Sequence, residues 1–175
     1  MNPRTGRGLI LVVALAVSAA RAQDSYRINP TATNILGIPV ATLDHDWAVA
    51  SPVNEQNLPP HAQEDLARAT DPTFRFMVNG DFNGDNRPDR AVVGVYRTRG
   101  GDEGQFLLIV TQKASGRWAV GYLSDHPGFP GPSLLYPAPD WLAWFPCTAC
   151  DFGATVSWEH GKYQTNWTST DEQTP

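Results

Sequence analysis

The sequence predicts a mainly β domain of α+β composition, built as an antiparallel sheet of about six strands with one short helix and a proline-rich loop. Three observations carry this reading. The hydrophobic period changes from helical to two after residue 72, and apolar segments of strand length then recur at short intervals. The connections between them are also too short for parallel crossovers, which need about a dozen residues or more.

Residues 1–22 read as a signal peptide. Arg4 and Arg7 precede the apolar run Leu9 to Val17, and Ala20-Arg21-Ala22 supplies small residues at a cleavage site. The run is too short to span a bilayer, and no later segment has the unbroken apolar length of a membrane helix. The mature chain is therefore expected to be exported, to the periplasm or the medium, with no membrane span after cleavage. Arginine outnumbers lysine 11 to 2, a bias that suggests a GC-rich bacterial genome. Removing Arg4, Arg7 and Arg21 takes three of the 13 basic residues and none of the 18 acidic ones, leaving a net charge of about −8. No basic face is available to hold phosphates, which argues against a nucleic-acid partner and for divalent cations or a basic protein surface.

Residues 23–60 are polar, proline-punctuated and weakly periodic, and read as an extended N-terminal arm that lays one strand on the domain. The domain proper runs over 61–170. It begins with "HAQEDLARA", where Ala62, Leu66 and Ala69 share one face at spacings of four and three, so a short helix ends before Asp71-Pro72. Strands are expected over Thr73 to Val78, Arg90 to Tyr96, Gln105 to Thr111, Arg117 to Leu123, Thr155 to Trp158 and Tyr163 to Trp167. "KASG" and "EHGK" are hairpin-sized links. "FLLIV", Phe106 to Val110, is apolar on both faces, which places it in the middle of the sheet with the helix and the proline-rich loop as its covers. That loop, "HPGFPGPSLLYPAPDWLAWFP" from His126 to Pro146, carries six prolines and five aromatic residues. Its rings could form a binding platform, but the expected role of Leu134, Leu135, Trp141, Trp144 and Phe145 is to cap the core.

Two cysteines stand in "FPCTACDFG", at Cys147 and Cys150. An isolated pair in an exported chain oxidises, and the flanking Pro146 and Gly153 suggest a turn rather than the helix start that a redox motif needs. Haem attachment would need histidine where Asp151 stands, and a zinc ribbon a second pair. A structural disulfide is expected.

The chemistry-bearing stretch is "NGDFNGDNRPDRAVVGVY", beginning at Asn79. With Asp81 as position 1 it offers a carboxylate at 1, an amide at 3 (Asn83), a carboxylate at 5 (Asp85), a backbone carbonyl at 7 (Arg87) and a carboxylate at 9 (Asp89). Hard oxygen donors alternating along a curling chain suit calcium, which takes six to eight oxygens. Magnesium demands a tighter octahedron, and zinc or copper would want nitrogen or sulfur. Position 6 must bend sharply, and Asn86 tolerates a left-handed backbone better than other non-glycine residues. An Asn/Asp/Gly-rich turn would account for "NGD" and "GDN" but not for three acids spaced by four. Position 12 is Val92, so the bidentate clamp of an EF-hand is missing, and the expected affinity is about 10⁻⁴ to 10⁻³ M.

These residues resemble the FG-GAP and VCBS repeat motif, G-D-F-N-G-D-G-x-x-D-hydrophobic-A-V, with Asn86 in place of its glycine and Arg90 in place of its hydrophobic residue. The likeness extends from about Phe74 to about Leu123. It implies that Asp81, Asn83, Asp85, Asp89 and the Arg87 carbonyl hold calcium between two strands. The family's propellers need several copies and this chain has one, so the resemblance implies a single calcium-stapled sheet module.

No catalytic spacing accompanies it. Asp44, His45 and Asp46 of "LDHDW", His126, His160 and Glu159 all fall in expected loops and match no nucleophile or zinc motif. The chain is expected to be non-catalytic: a calcium-binding module acting in recognition of a protein or glycan at the bacterial cell envelope. The alternative is a periplasmic inhibitor or immunity-type protein that blocks a basic enzyme through its acidic surface or its aromatic loop.

Overall fold

A computed structural model describes residues 25–68, 73–138, 141–147 and 152–169. The segment read as a signal peptide and Cys150 lie outside these residues. The described chain runs β1 (Asn34–Ile35), β2 (Ile38–Pro39), α1 (Val40–Leu43), β3 (Trp47–Pro52), α2 (Pro60–Arg68), β4 (Met77–Gly80), β5 (Asp89–Thr98), β6 (Glu103–Gln112), β7 (Trp118–Pro127), β8 (Leu134–Pro137), β9 (Trp141–Phe145), β10 (Phe152–Glu159) and β11 (Lys162–Ser169). All strand pairs are antiparallel. The protein is mainly β, as its sequence predicts, with more strands than expected and three sheets in place of one.

The first sheet has the order β3-β5-β6-β7. Its long strand β5 is shared, because β4 pairs with Asp89 to Val92 and β3 with Gly94 to Thr98 along the same edge. The second sheet has the order β8-β9-β10-β11, and β1 with β2 forms a small hairpin. Turn chemistry behaves as the links predict. His160 (φ 51°) and Gly161 (φ 80°) are both left-handed in the two-residue β10–β11 connection, the combination that matches strand twist.

Burial explains why "FLLIV" is apolar throughout. Leu107 and Ile109 of β6 join Ala91, Val93 and Val95 of β5 against Leu135, Leu142, Trp144, Ala154 and Val156 of the second sheet. Phe106, Leu108 and Val110 face the other way, onto Ile35, Ile38, Val40, Trp47 and Ala50. The covers are thus the second sheet on one side and the N-terminal segment on the other. Helix α2 contributes only Ala62 and part of Leu66 to the inner layer.

Two expectations are corrected here. The arm strand exists as β3, but residues 32–50 form a full layer, with Trp47 3% exposed and stacked on Tyr96 at 4.3 Å. The proline-rich loop is largely sheet. Leu135 and Trp144 pair across β8 and β9 and point inward, and Pro137 is accommodated because it ends the edge strand β8, where it needs no ladder donor. The capping role expected for Leu134, Leu135 and Trp144 holds, while Trp141 is 39% exposed.

Candidate metal centre

The acidic stretch forms the link between β4 and β5, and its apolar member explains how it is anchored. Phe82 packs against the inter-sheet core. Gly80 makes room for it, since a Cβ there would stand 2.6 Å from the Phe82 ring. The loop then turns through Gly84 (φ 70°) and Asn86 (φ 60°), so the bend falls on the residue that the spacing assigns to it.

Inside the loop the side-chain oxygens accept from backbone amides. Asp81 Oδ1 accepts from the Asp85 N–H (3.1 Å) and its Oδ2 from the Asn86 N–H (2.9 Å). Asn83 Oδ1 also accepts from Asp85 N–H (3.0 Å), and Asp85 Oδ1 from Arg87 N–H (2.9 Å). These bonds curl the chain and hold the loop side chains against its own backbone.

Asp89 differs from the rest. It opens β5, is 0% exposed, and accepts at Oδ2 from the Phe82 N–H (2.9 Å) and the Tyr163 hydroxyl (3.4 Å). Its Oδ1 is buried with no hydrogen-bond partner. A buried carboxylate oxygen left without a donor is costly. A hard cation held by all-oxygen ligands is one partner that would satisfy it, so the residues fit calcium. Tyr163 senses the same charge: burial raises the phenol's pKa first, and the negative charge and hydrogen bond of Asp89 raise it further, with Asp85 and Asp81 adding to the effect.

The carboxylates of Asp81, Asp85 and Asp89 share one loop but are not drawn to a common point. Among the described residues, the one group of three or more acidic, histidine or cysteine side chains whose ligand atoms all lie within 4.8 Å is Asp44, His45 and Asp46. That group is self-contained: the His45 ring nitrogens sit 3.8 Å and 3.4 Å from Asp44 and Asp46 carboxylates, and Asp44 Oδ1 accepts from the Asp46 N–H. Asp44 is half-buried, and His45 and Asp46 are exposed. His126 packs at a tilt against the Phe152 and Trp167 rings, and His160 is a turn residue.

Arg90, the departure from the apolar motif position, has a local account. Its Nε donates to Asn79 Oδ1 (2.8 Å), and its guanidinium lies 4.9 Å from the Trp118 ring centre. Tyr163 and Phe82 were missed as site residues. Phe82 could have been found as a large apolar residue among acids; Tyr163 lies 74 positions from Asp89 in the chain and carries no local signal.

Cys147 is half-buried and not a free thiol. Among the described residues no helix is long and apolar enough to cross a membrane. Comparison with protein-family models, curated proteins and solved structures finds no match for this chain.

Proposed function

We propose that this protein is an exported calcium-binding β-module that acts in recognition at the cell envelope and is not an enzyme. The observation that carries the metal reading is the buried, partnerless Oδ1 of Asp89 at the end of an acidic loop. Asp81, Asn83, Asp85, Asp89 and the Arg87 carbonyl would hold the ion. When bound, calcium would neutralise charge that the loop otherwise concentrates and would tie β4 to β5. The chain supplies the rest: Phe82 anchors the loop, Asn86 bends it, and Tyr163 holds the second oxygen of Asp89. Export is supported by the N-terminal pattern and by a Cys147 that is not a free thiol, with Cys150 as the partner proposed for it.

The test is a thermal melt in chelator, in millimolar calcium and in millimolar magnesium. A calcium-selective rise in melting temperature is expected. Identical melts in all three would reduce the loop to an acidic turn and remove the metal reading.

A further inference from the structure

A cleft of about 250 Å³ opens between the acidic loop and the second sheet. Leu142 and Val156 of the inter-sheet core line it. Asp81 and Asn83 form one wall, and Trp141, Ser157, Trp158 and Tyr163 line the other. Strand register explains the second wall. Trp158 pairs with Tyr163 across β10 and β11 on the face that carries Val156, whereas Trp141 pairs with Ser157 across β9 and β10 on the opposite face, so the two residues reach the same end of the sheet from opposite sides.

Large aromatic side chains are usually mostly buried, yet Trp141 and Trp158 are 39% and 37% exposed here. Trp158 is held edge-on against Tyr163, with ring centres 4.8 Å apart and planes at 71°. Its orientation is therefore set before any ligand arrives, which lowers the entropic cost of binding. The charge is one-sided. Asp81 lines the cleft, Asp85 and Asp89 stand behind it in the same loop, and none of the described lining residues is lysine or arginine. Indole faces attract cations through their quadrupole, and a carboxylate beside them adds a direct ionic partner. The volume admits one side chain and not a drug-sized ligand.

We propose that this cleft receives an arginine or lysine side chain presented by a basic partner protein, packed on the Trp158 indole beside Tyr163 and paired with Asp81. This deepens the recognition reading and rests on its protein-binding half; because Asp81 is also a calcium ligand in that reading, the pairing is one that the metal-free protein makes.

The experiment is an NMR titration of the purified protein in chelator, following the indole N–H signals. The probes are a capped Gly-Arg-Gly peptide, its citrulline counterpart, which keeps the shape and removes the charge, and a neutral hexose. The arginine peptide is expected to shift the Trp158 signal saturably and to bind roughly tenfold more tightly than the citrulline peptide. Trp158→Ala should weaken it by roughly fivefold or more. The citrulline comparison uses the unaltered protein and is unaffected by any folding defect in that variant. Equal binding of the two peptides, a Trp158 indole signal that does not move, or saturation by the hexose alone would overturn the proposal. Because calcium is withheld, a failure here is separate from a failure of the metal reading, which the melts in calcium report.

Discussion

Replacing Asp89 by asparagine separates a metal ligand from a structural hydrogen-bond acceptor. The side chain is 0% exposed and accepts from the Phe82 amide at 2.9 Å, while its other oxygen has no partner. The amide oxygen of asparagine can keep the Phe82 bond and removes a buried charge that lacks a basic partner. In chelator the gain from removing that charge is offset by the amide NH2 left unpaired in the place of Oδ1, and the stability of Asp89→Asn should stay within about 1 kcal/mol of the parent. In calcium the outcomes diverge. An affinity of about 10⁻⁴ to 10⁻³ M at about 10 mM calcium stabilises the parent by about 1.4 to 2.7 kcal/mol. For a domain of this size that is a rise of about 3 to 10 °C in melting temperature. The variant should lose most of that increment. The assay is calorimetric melting of both proteins with and without calcium. A variant that falls by about 2 to 3 kcal/mol in chelator and still gains as much from calcium as the parent would refute the reasoning, since Asp89 would then serve only the fold.

Gly94→Ala should cost about 2 to 3 kcal/mol in urea unfolding, because a Cβ there would stand 2.2 Å from the Phe106 ring and 2.6 Å from the Ser51 carbonyl oxygen. A loss below about 0.5 kcal/mol would contradict the packing of β3, β5 and β6. Tyr163 makes an alkaline prediction. Its folded pKa lies above its unfolded value of about 10, so its contribution is complete below that pH and declines as pH rises above it, when the unfolded chain releases the proton first. Tyr163→Phe should flatten the fall of stability above pH 10 by up to about 1.4 kcal/mol per pH unit; an unchanged slope would place the phenol in water. Replacing both Cys147 and Cys150 by serine should lower stability by about 2 kcal/mol and leave binding of the arginine peptide intact, and loss of binding with intact folding would revive a redox role.

Local rules made the hairpins and the loop legible before any coordinates. His160-Gly161 and Asn86 adopt the left-handed backbone that their neighbours demand, and this depends only on residues a few positions apart. The apolar run from Phe106 to Val110 likewise announced a strand covered on both faces. What covers it was not legible, because the choice between helix, loop and second sheet is made by contacts distant in sequence. The proline-rich stretch misled for a physical reason. Proline forbids a ladder donor, which excludes a central strand but leaves an edge strand such as β8 untouched. At the site, the donor types could be read from their spacing. The burial of Asp89, its contact with Tyr163 and the cleft walled by Trp141 and Trp158 could not, since each is created by the second sheet folding back over the loop.

The central claim is that residues 81–89 form one calcium site. Its most direct test is an isothermal calcium titration of the metal-free protein, repeated with magnesium and with Asp81→Ala. A single saturable site with a dissociation constant of about 10⁻⁴ to 10⁻³ M, much weaker for magnesium and absent from the variant, is the predicted result. No saturable heat with calcium, or equal binding to parent and variant, would contradict the account.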